Sequence, residues 1–266
     1  MIDIHSHILP GIDDGVPSMI EALELAESEA SGGTRRIFAT PHVNSARDIA
    51  HSVELPDRVA ELNSEIQRQG FAIEVSVGAE LHAGMEILSG IDAGLPLTFA
   101  MHGRHVLLDT PRASLPLNLS ELLFELQTRK ITPILAHPER TVVFQKDPEK
   151  LLDFLDRGAV CQVNVGSLKG AYGPAARDTA LLILENQWAH FLASDAHRRG
   201  RSPLLQGGML RLANLVPPAY LQLITQESGE ALQEGRTLPN IVRNPRPKQH
   251  TGGLRAGIAR LFGRRA

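Results

Sequence analysis

The sequence predicts an α/β fold in which parallel strands alternate with covering helices and close as a barrel of about seven strands. Two observations lead there. Short apolar runs alternate with amphipathic stretches along most of the 266 residues, and about seven of those runs read as strands, more than a small open sheet needs. Glycines and capping residues also fall where such helices would begin and end.

Met1–Ile4 opens as a strand. Ser18-Met-Ile-Glu21 is a capping-box pattern that starts a helix through about Ala30, and Gly32–Gly33 ends it. Arg36–Thr40 reads as a strand, Leu55–Gln69 as a helix closed by Gly70, and Ile73–Ala79 alternates as a strand should. Val106–Leu108 is a brief strand, Leu119–Arg129 a helix, and Thr132–Ala136 a strand with its proline near the start. Pro148–Arg157 reads as a helix stopped by Gly158, Val160–Val163 as a strand, Pro174–Asn186 as a helix and His190–Ala193 as a strand. Helical patterns follow from Ser202 to about Glu234. One domain over residues 1–239 is expected, followed by a Pro-, Gly- and base-rich tail over 240–266 that reads as disordered.

Composition narrows the function classes. Hydrophobic residues make up 42% and charged residues 21%, an ordinary globular balance. From Ile241 to Ala266 there are seven basic residues and no Asp or Glu, so the preceding residues carry −10 of the net −3. An acidic body of this kind makes a poor nucleic-acid binder. No run approaches the ~20 apolar residues of a membrane span, and the opening MIDIHSHILPG lacks a basic leader, so no signal peptide is expected. The single cysteine, Cys161, fits a reducing cytoplasm. In the tail, Leu254, Ile258, Leu261 and Phe262 share one helical face beside Arg255 and Arg260. That pattern suits a short helix in peripheral contact with an anionic membrane surface or docked against a membrane-bound kinase, so a cytoplasmic protein able to reach the inner face of the membrane is expected.

The chemistry lies at the strand ends. His5-Ser-His7 follows the first strand and Thr40-Pro-His42 the second. Gly78-Ala-Glu80 ends the third, Leu108-Asp109 the fourth and Ala136-His137 the fifth, and Ser194-Asp195-Ala-His197 follows the last. In parallel α/β folds, residues just past the strand C-termini converge on one face. In an extended His-x-His both rings point to one side, so His5 and His7 can grip one ion. Imidazole with carboxylate oxygen suits Mn²⁺, Fe²⁺, Co²⁺ or Zn²⁺ and disfavours Ca²⁺. Arg140, three residues past His137, can fork onto a phosphoryl group; the structural alternative is a surface salt bridge with Glu139. Cys161 lies inside an apolar strand and is followed six positions later by Ser167 where a cysteine-dependent phosphatase needs arginine, so thiol chemistry is excluded. The remaining histidines, 51, 102, 105, 190 and 250, lack the strand-end context, while His82 is a weak candidate for the pocket wall.

MIDIHSHILPGIDDG, TPH at 40–42, GAE at 78–80, AHPER at 136–140 and SDAH at 194–197 together resemble the polymerase-and-histidinol-phosphatase (PHP) superfamily. Within it they are most similar to the manganese-dependent protein-tyrosine phosphatases encoded beside capsule and exopolysaccharide genes. The resemblance implies a distorted seven-stranded barrel with three divalent ions, Mn²⁺ foremost, at the strand C-terminal mouth. One ion would take His5, His7, Glu80 and Asp195, and a second Glu80, His137 and Asp109. A third would take Asp14, His42 and His197. The residues alone do not choose between Asp13 and Asp14. Arg140 would bind the substrate phosphate. At 109 relatives carry Glu, one methylene longer than the Asp here. The implied reaction is hydrolysis of phosphotyrosine in protein, on a membrane-associated tyrosine kinase that controls polysaccharide synthesis. A small-molecule phosphomonoesterase such as a histidinol-phosphate phosphatase is the alternative, and a non-catalytic metal-binding regulatory module the more distant one.

Overall fold

The computed structural model describes residues 1–197 and 205–244. Its strands are β1 (Ile2–Ser6), β2 (Arg36–Ala39), β3 (His42–Val43), β4 (Glu74–Val77), β5 (Glu80–His82), β6 (His105–Asp109), β7 (Thr132–Ala136), β8 (Val160–Asn164) and β9 (Phe191–Ala193). Every pairing between them is parallel. The strands form a three-stranded sheet in the order β1-β2-β4 and a six-stranded sheet in the order β3-β5-β6-β7-β8-β9.

The expected alternation of strand and helix is therefore present, but the expected barrel is met only as parallel α/β architecture. Among the described residues no closed sheet forms. The ladder breaks where β2 gives way to β3 at Thr40-Pro41 and where β4 gives way to β5 at Gly78-Ala79. Pro41 has no N–H to give a ladder, and Gly78 lies so close to Thr40 and Ala39 that a Cβ would sit 3.1–3.2 Å from them. Past each break the chain pairs in the other sheet. The sheets meet again at β1 and β9 through one bridge, Ser6 with Ala196, with Asp195 N donating to His5 O and His7 N to Ala196 O.

Helices form where the caps predicted. Ser18 accepts from Glu21 N at the start of the helix Met19–Ser31, and Leu55–Gln69 ends at Gly70 in the left-handed region, φ 74°. Leu62 and Ile66 on that helix are buried against the sheets. A second apolar cluster gathers Ile2 and Ile4 of β1 with Phe38, Leu107, Ile134, Val160 and Phe191 of five other strands. On β8 the same face runs Val160, Gln162, Asn164, apolar at the strand's beginning and polar at its end. The polar end is where the site lies.

The start of the tail departs from expectation. Residues 241–244 do not behave as a free linker: Ile241 packs on the core, Arg243 reaches Asp156 and Leu155 O, and Asn244 bonds to Asn186 O and Glu185 O. Residues 245–266, with the amphipathic pattern at Leu254, Ile258, Leu261 and Phe262, lie outside the described residues.

Candidate metal centre

Strand β1 carries an irregularity that aims its histidines. Asp3 pairs with Ile37 and Ser6 with Ala39, so three steps on β1 match two on β2. Such a bulge turns consecutive side chains to one side. Ile4 joins the interior apolar cluster, and the next residue, His5, still faces Gln162 on β8. His5 and His7 then stand with ring centroids 5.3 Å apart. His137 and Asp195, just past β7 and β9, both have positive φ, 34° and 52°. Non-glycine residues held there are uncommon and concentrate at functional sites.

The sequence-predicted residues come together. Ligand atoms of His5, His7 and Glu80 lie within 4.8 Å of one another, as do those of Glu80, Asp109 and His137, and those of His7, Asp14, His42 and His197. Asp195 joins the first group, its Oδ1 3.4 Å from both His5 Nε2 and His7 Nε2. Glu80, fully buried, is common to two groups: Oε1 meets His137 Nε2 at 3.0 Å, and Oε2 lies 3.3 Å from His5 Nε2 and 3.5 Å from His7 Nε2. Asp109 reaches least, 3.9 Å from His137 Nε2.

Asp13 and Asp14 differ in what they face. Asp13 Oδ2 lies 2.6 Å from His7 Nδ1 and accepts from His42 N, and its Oδ1 accepts from Gly15 N. Both its oxygens are spent on protein donors. Asp14 is instead 64% exposed in its side chain and turns Oδ1 to His42 Nε2 and His197 Nε2, at 3.6 and 3.5 Å.

The donor set fits a cation. His5 Nε2 and His7 Nε2 face each other at 3.2 Å, about the separation of two nitrogens each ~2.1 Å from a shared ion. Glu80 Oε2 is buried without a hydrogen bond; His42 Nδ1 is 2.9 Å away but off the line a hydrogen bond requires. Nitrogens and carboxylate oxygens gathered around one point need a positive charge among them. The carboxylates favour such charge at the histidines: burial alone would lower the His7 pKa, but Asp13, Asp195 and Glu80 raise it to about 10. Burial is likewise outweighed at His5 by Glu80 and Asp195, which raise its pKa, and at His42 by Glu80. Glu80 and Asp195, despite burial, are held well below the usual carboxylate range by the facing histidines, His5 foremost.

Arg140 faces the cavity and makes no surface pair with Glu139. Glu139 turns inward, fully buried, and accepts from Asn164 N and Ser167 Oγ. Arg140 Nη1 donates to Asp195 Oδ2 at 2.6 Å, and its guanidinium lies 4.2 Å over the Tyr172 ring. It lines a cavity of about 710 Å³ together with Asp14, His42, Glu80, Asp109, His137, Asp195 and His197. Arg112, Lys169 and Tyr172 line it too, and no periodic pattern in the sequence marks them. Asp13, Gln162 and Asn164 were also missed as partners of the candidate ligands; Asp13 alone had a signal, its place in the IDDG turn.

The residues set aside stay aside. Cys161 is fully buried, and burial pushes its thiol pKa up. Burial lowers the pKa of His105 to about 4 and of His190 to about 3, so both are neutral core groups. His82 is not among the cavity-lining residues. No helix among the described residues is long and apolar enough to cross a membrane.

The chain is similar to CapC of Staphylococcus aureus, 34% identical over 207 residues, 77% of this chain and 80% of that protein. It is similar to the tyrosine-protein phosphatase YwqE of Bacillus subtilis, 31% identical over 197 residues, 74% and 77% of the two chains. Its fold matches a crystal structure described as YwqE from Bacillus subtilis and CpsB from Streptococcus pneumoniae, unique metal-dependent tyrosine phosphatases. That match has a TM-score of 0.83 and 27% identity, covering 92% of this chain and 99% of the other. The family described as capsular polysaccharide synthesis, CpsB/CapC, matches residues 1–233, and to that family this chain belongs.

Proposed function

We propose that this chain is a metal-dependent protein-tyrosine phosphatase of capsule or exopolysaccharide synthesis. The observation that carries the reading is the convergence of three overlapping ligand groups, joined through His7 and Glu80, in one cavity with Arg140. His5, His7, Glu80 and Asp195 would hold one divalent ion, Glu80, Asp109 and His137 a second, and Asp14, His42 and His197 a third. Mn²⁺ is the first choice, with Fe²⁺, Co²⁺ and Zn²⁺ compatible with the same donors. Ions there would supply Lewis acidity toward phosphoryl oxygens and lower the pKa of water toward neutrality.

The chain's own residues do the rest. Asp13 holds the His7 ring with Nε2 turned inward. Arg140, braced by Asp195 and the Tyr172 face, offers its remaining N–H groups to the phosphoryl group, and Arg112 and Lys169 add positive charge at the mouth. Tyrosinate, with a parent pKa near ~10, leaves without a strong general acid. That favours an aryl phosphate over an alkyl one such as histidinol phosphate. The two sheets would act as one interrupted seven-stranded barrel, and residues 1–239 as the catalytic domain. The substrate would be a tyrosine-phosphorylated kinase at the membrane, and the amphipathic sequence near residues 254–262 would bring the cytoplasmic enzyme to that surface.

Chelated protein should release no phosphate from a phosphotyrosyl peptide until Mn²⁺ is returned, and His7→Ala or His137→Ala should stay inactive with the fold retained. Full activity of metal-free protein would overturn the reading. Faster turnover of histidinol phosphate than of the peptide would overturn the substrate.

A further inference from the structure

Strand β8 contributes no candidate ligand, yet two of its side chains touch ligands on β1 and after β9. We propose that Gln162 and Asn164 are positioning residues that fix how His5 and Asp195 face a divalent cation. The proposal rests on the metal-centre reading above and adds to it residues outside the ligand set.

The direction of each bond can be deduced. Gln162 Oε1 accepts from the backbone N–H of His137 at 3.3 Å. A peptide N–H only donates, so the amide orientation is fixed. The same Oε1 lies 3.1 Å from His5 Nδ1, which must therefore carry hydrogen. In the neutral ring this leaves the lone pair on Nε2, the atom that faces His7, Glu80 and Asp195 at 3.2–3.4 Å. At the other end, ionised Asp195 only accepts. Asn164 Nδ2 donates to its Oδ2 at 2.7 Å, so Asn164 Oδ1 points back and accepts from Gln162 Nε2 at 2.6 Å. A donor-only group at one end and an acceptor-only group at the other set the whole chain.

The consequence is geometric. His5 is held in the tautomer that can ligate, and Asp195 is clamped by Oδ2 so that Oδ1 points at the two imidazoles. His5, Gln162 and Asn164 have no exposed surface, and Asp195 is 4% exposed. Buried amides are costly unless bonded, and an apolar pair would fill this layer equally well. Outer groups that fix a ligand's tautomer and rotation typically account for about 10–100-fold in metal affinity.

The test is equilibrium titration with Mn²⁺ alone, read by the EPR signal of free ion, on wild type, Gln162→Leu, Asn164→Leu and the double variant. Melting of the chelated proteins gives the purely structural cost. Each single variant should bind Mn²⁺ about 10–100-fold more weakly. The double should be within about threefold of the weaker single, because the chain acts as a unit. If a leucine prevents folding, the isosteric Asn164→Asp, which sets a carboxylate against Asp195 Oδ2, should show the same loss. Folded variants that bind Mn²⁺ like wild type overturn the positioning role alone. A wild-type protein that takes up no Mn²⁺ overturns the metal-centre reading and this role with it.

Discussion

Asp195 turns Oδ1 toward two imidazole nitrogens and Oδ2 toward Arg140 and Asn164. Arg140 therefore touches both a candidate ligand and the cavity, which a sequence motif cannot reveal. Arg140→Lys keeps the charge but loses the planar fork over Tyr172, and turnover of a phosphotyrosyl peptide should fall about 10-fold or more. Arg140→Ala should also weaken Mn²⁺ binding, since Asp195 loses a brace; unchanged kinetics and affinity would remove Arg140 from the site. At Asp109 the 3.9 Å gap to His137 is the loosest in its group, and Asp109→Glu adds about 1.5 Å of reach. It should tighten Mn²⁺ binding, and superimposable titrations of the two forms would show the shorter arm to be harmless. Histidine 190 gives a pH test away from the metal. Burial, then Arg243, lowers its pKa to about 3, so the unfolded chain binds the proton more readily. Its contribution is complete above about pH 6.5 and is lost as pH falls toward 3. Between pH 6.5 and 4.5 chelated wild type should lose roughly 2 kcal/mol more than His190→Leu, as read by urea midpoints.

At the scale of elements, the helices with strong caps and the longer strands were legible, because caps and side-chain period are local properties. Leu55–Gln69 and Thr132–Ala136 have the bounds the sequence predicts. The two- and three-residue strands β3 and β5 were not, because their pairing follows from the breaks at Pro41 and Gly78. The β1 bulge was equally invisible, since register is a relation between two strands. The turn after β1 shows how tightly these pieces are fitted. A Cβ on Gly15 would lie 2.2 Å from His7 O and 2.9 Å from Asp13 Oδ1. Gly15→Ala should displace the Asp13–Asp14 turn, costing about 1–3 kcal/mol of stability and weakening Mn²⁺ binding about 10-fold. A variant with wild-type melting and titration curves would mean the turn yields without moving its aspartates.

For the whole molecule, the first residues past 240 are held against the body. Arg243 and Asn244 fasten the chain to Asp156, Leu155, Glu185 and Asn186, so a chain ending at Asn244 should melt and turn over like the full one. Ending it at Pro239 should lower stability by about 1–2 kcal/mol for the lost hydrogen bonds and the packing of Ile241. Equal melting temperatures of the two truncations would show that the docked segment contributes nothing.

The sequence by itself determined the strand–helix alternation and the kinds of ligand at the strand ends, since both depend on neighbours a few residues away. It also excluded Cys161 as nucleophile by the absent arginine. Only the tertiary structure separated Asp13 from Asp14, turned Glu139 inward and joined Arg140 to Asp195. It alone placed Gln162 against His5, 157 residues away. The physical reason is that a hydrogen bond is decided by direction and by which end can donate, and between distant residues those are fixed by packing rather than by any local pattern.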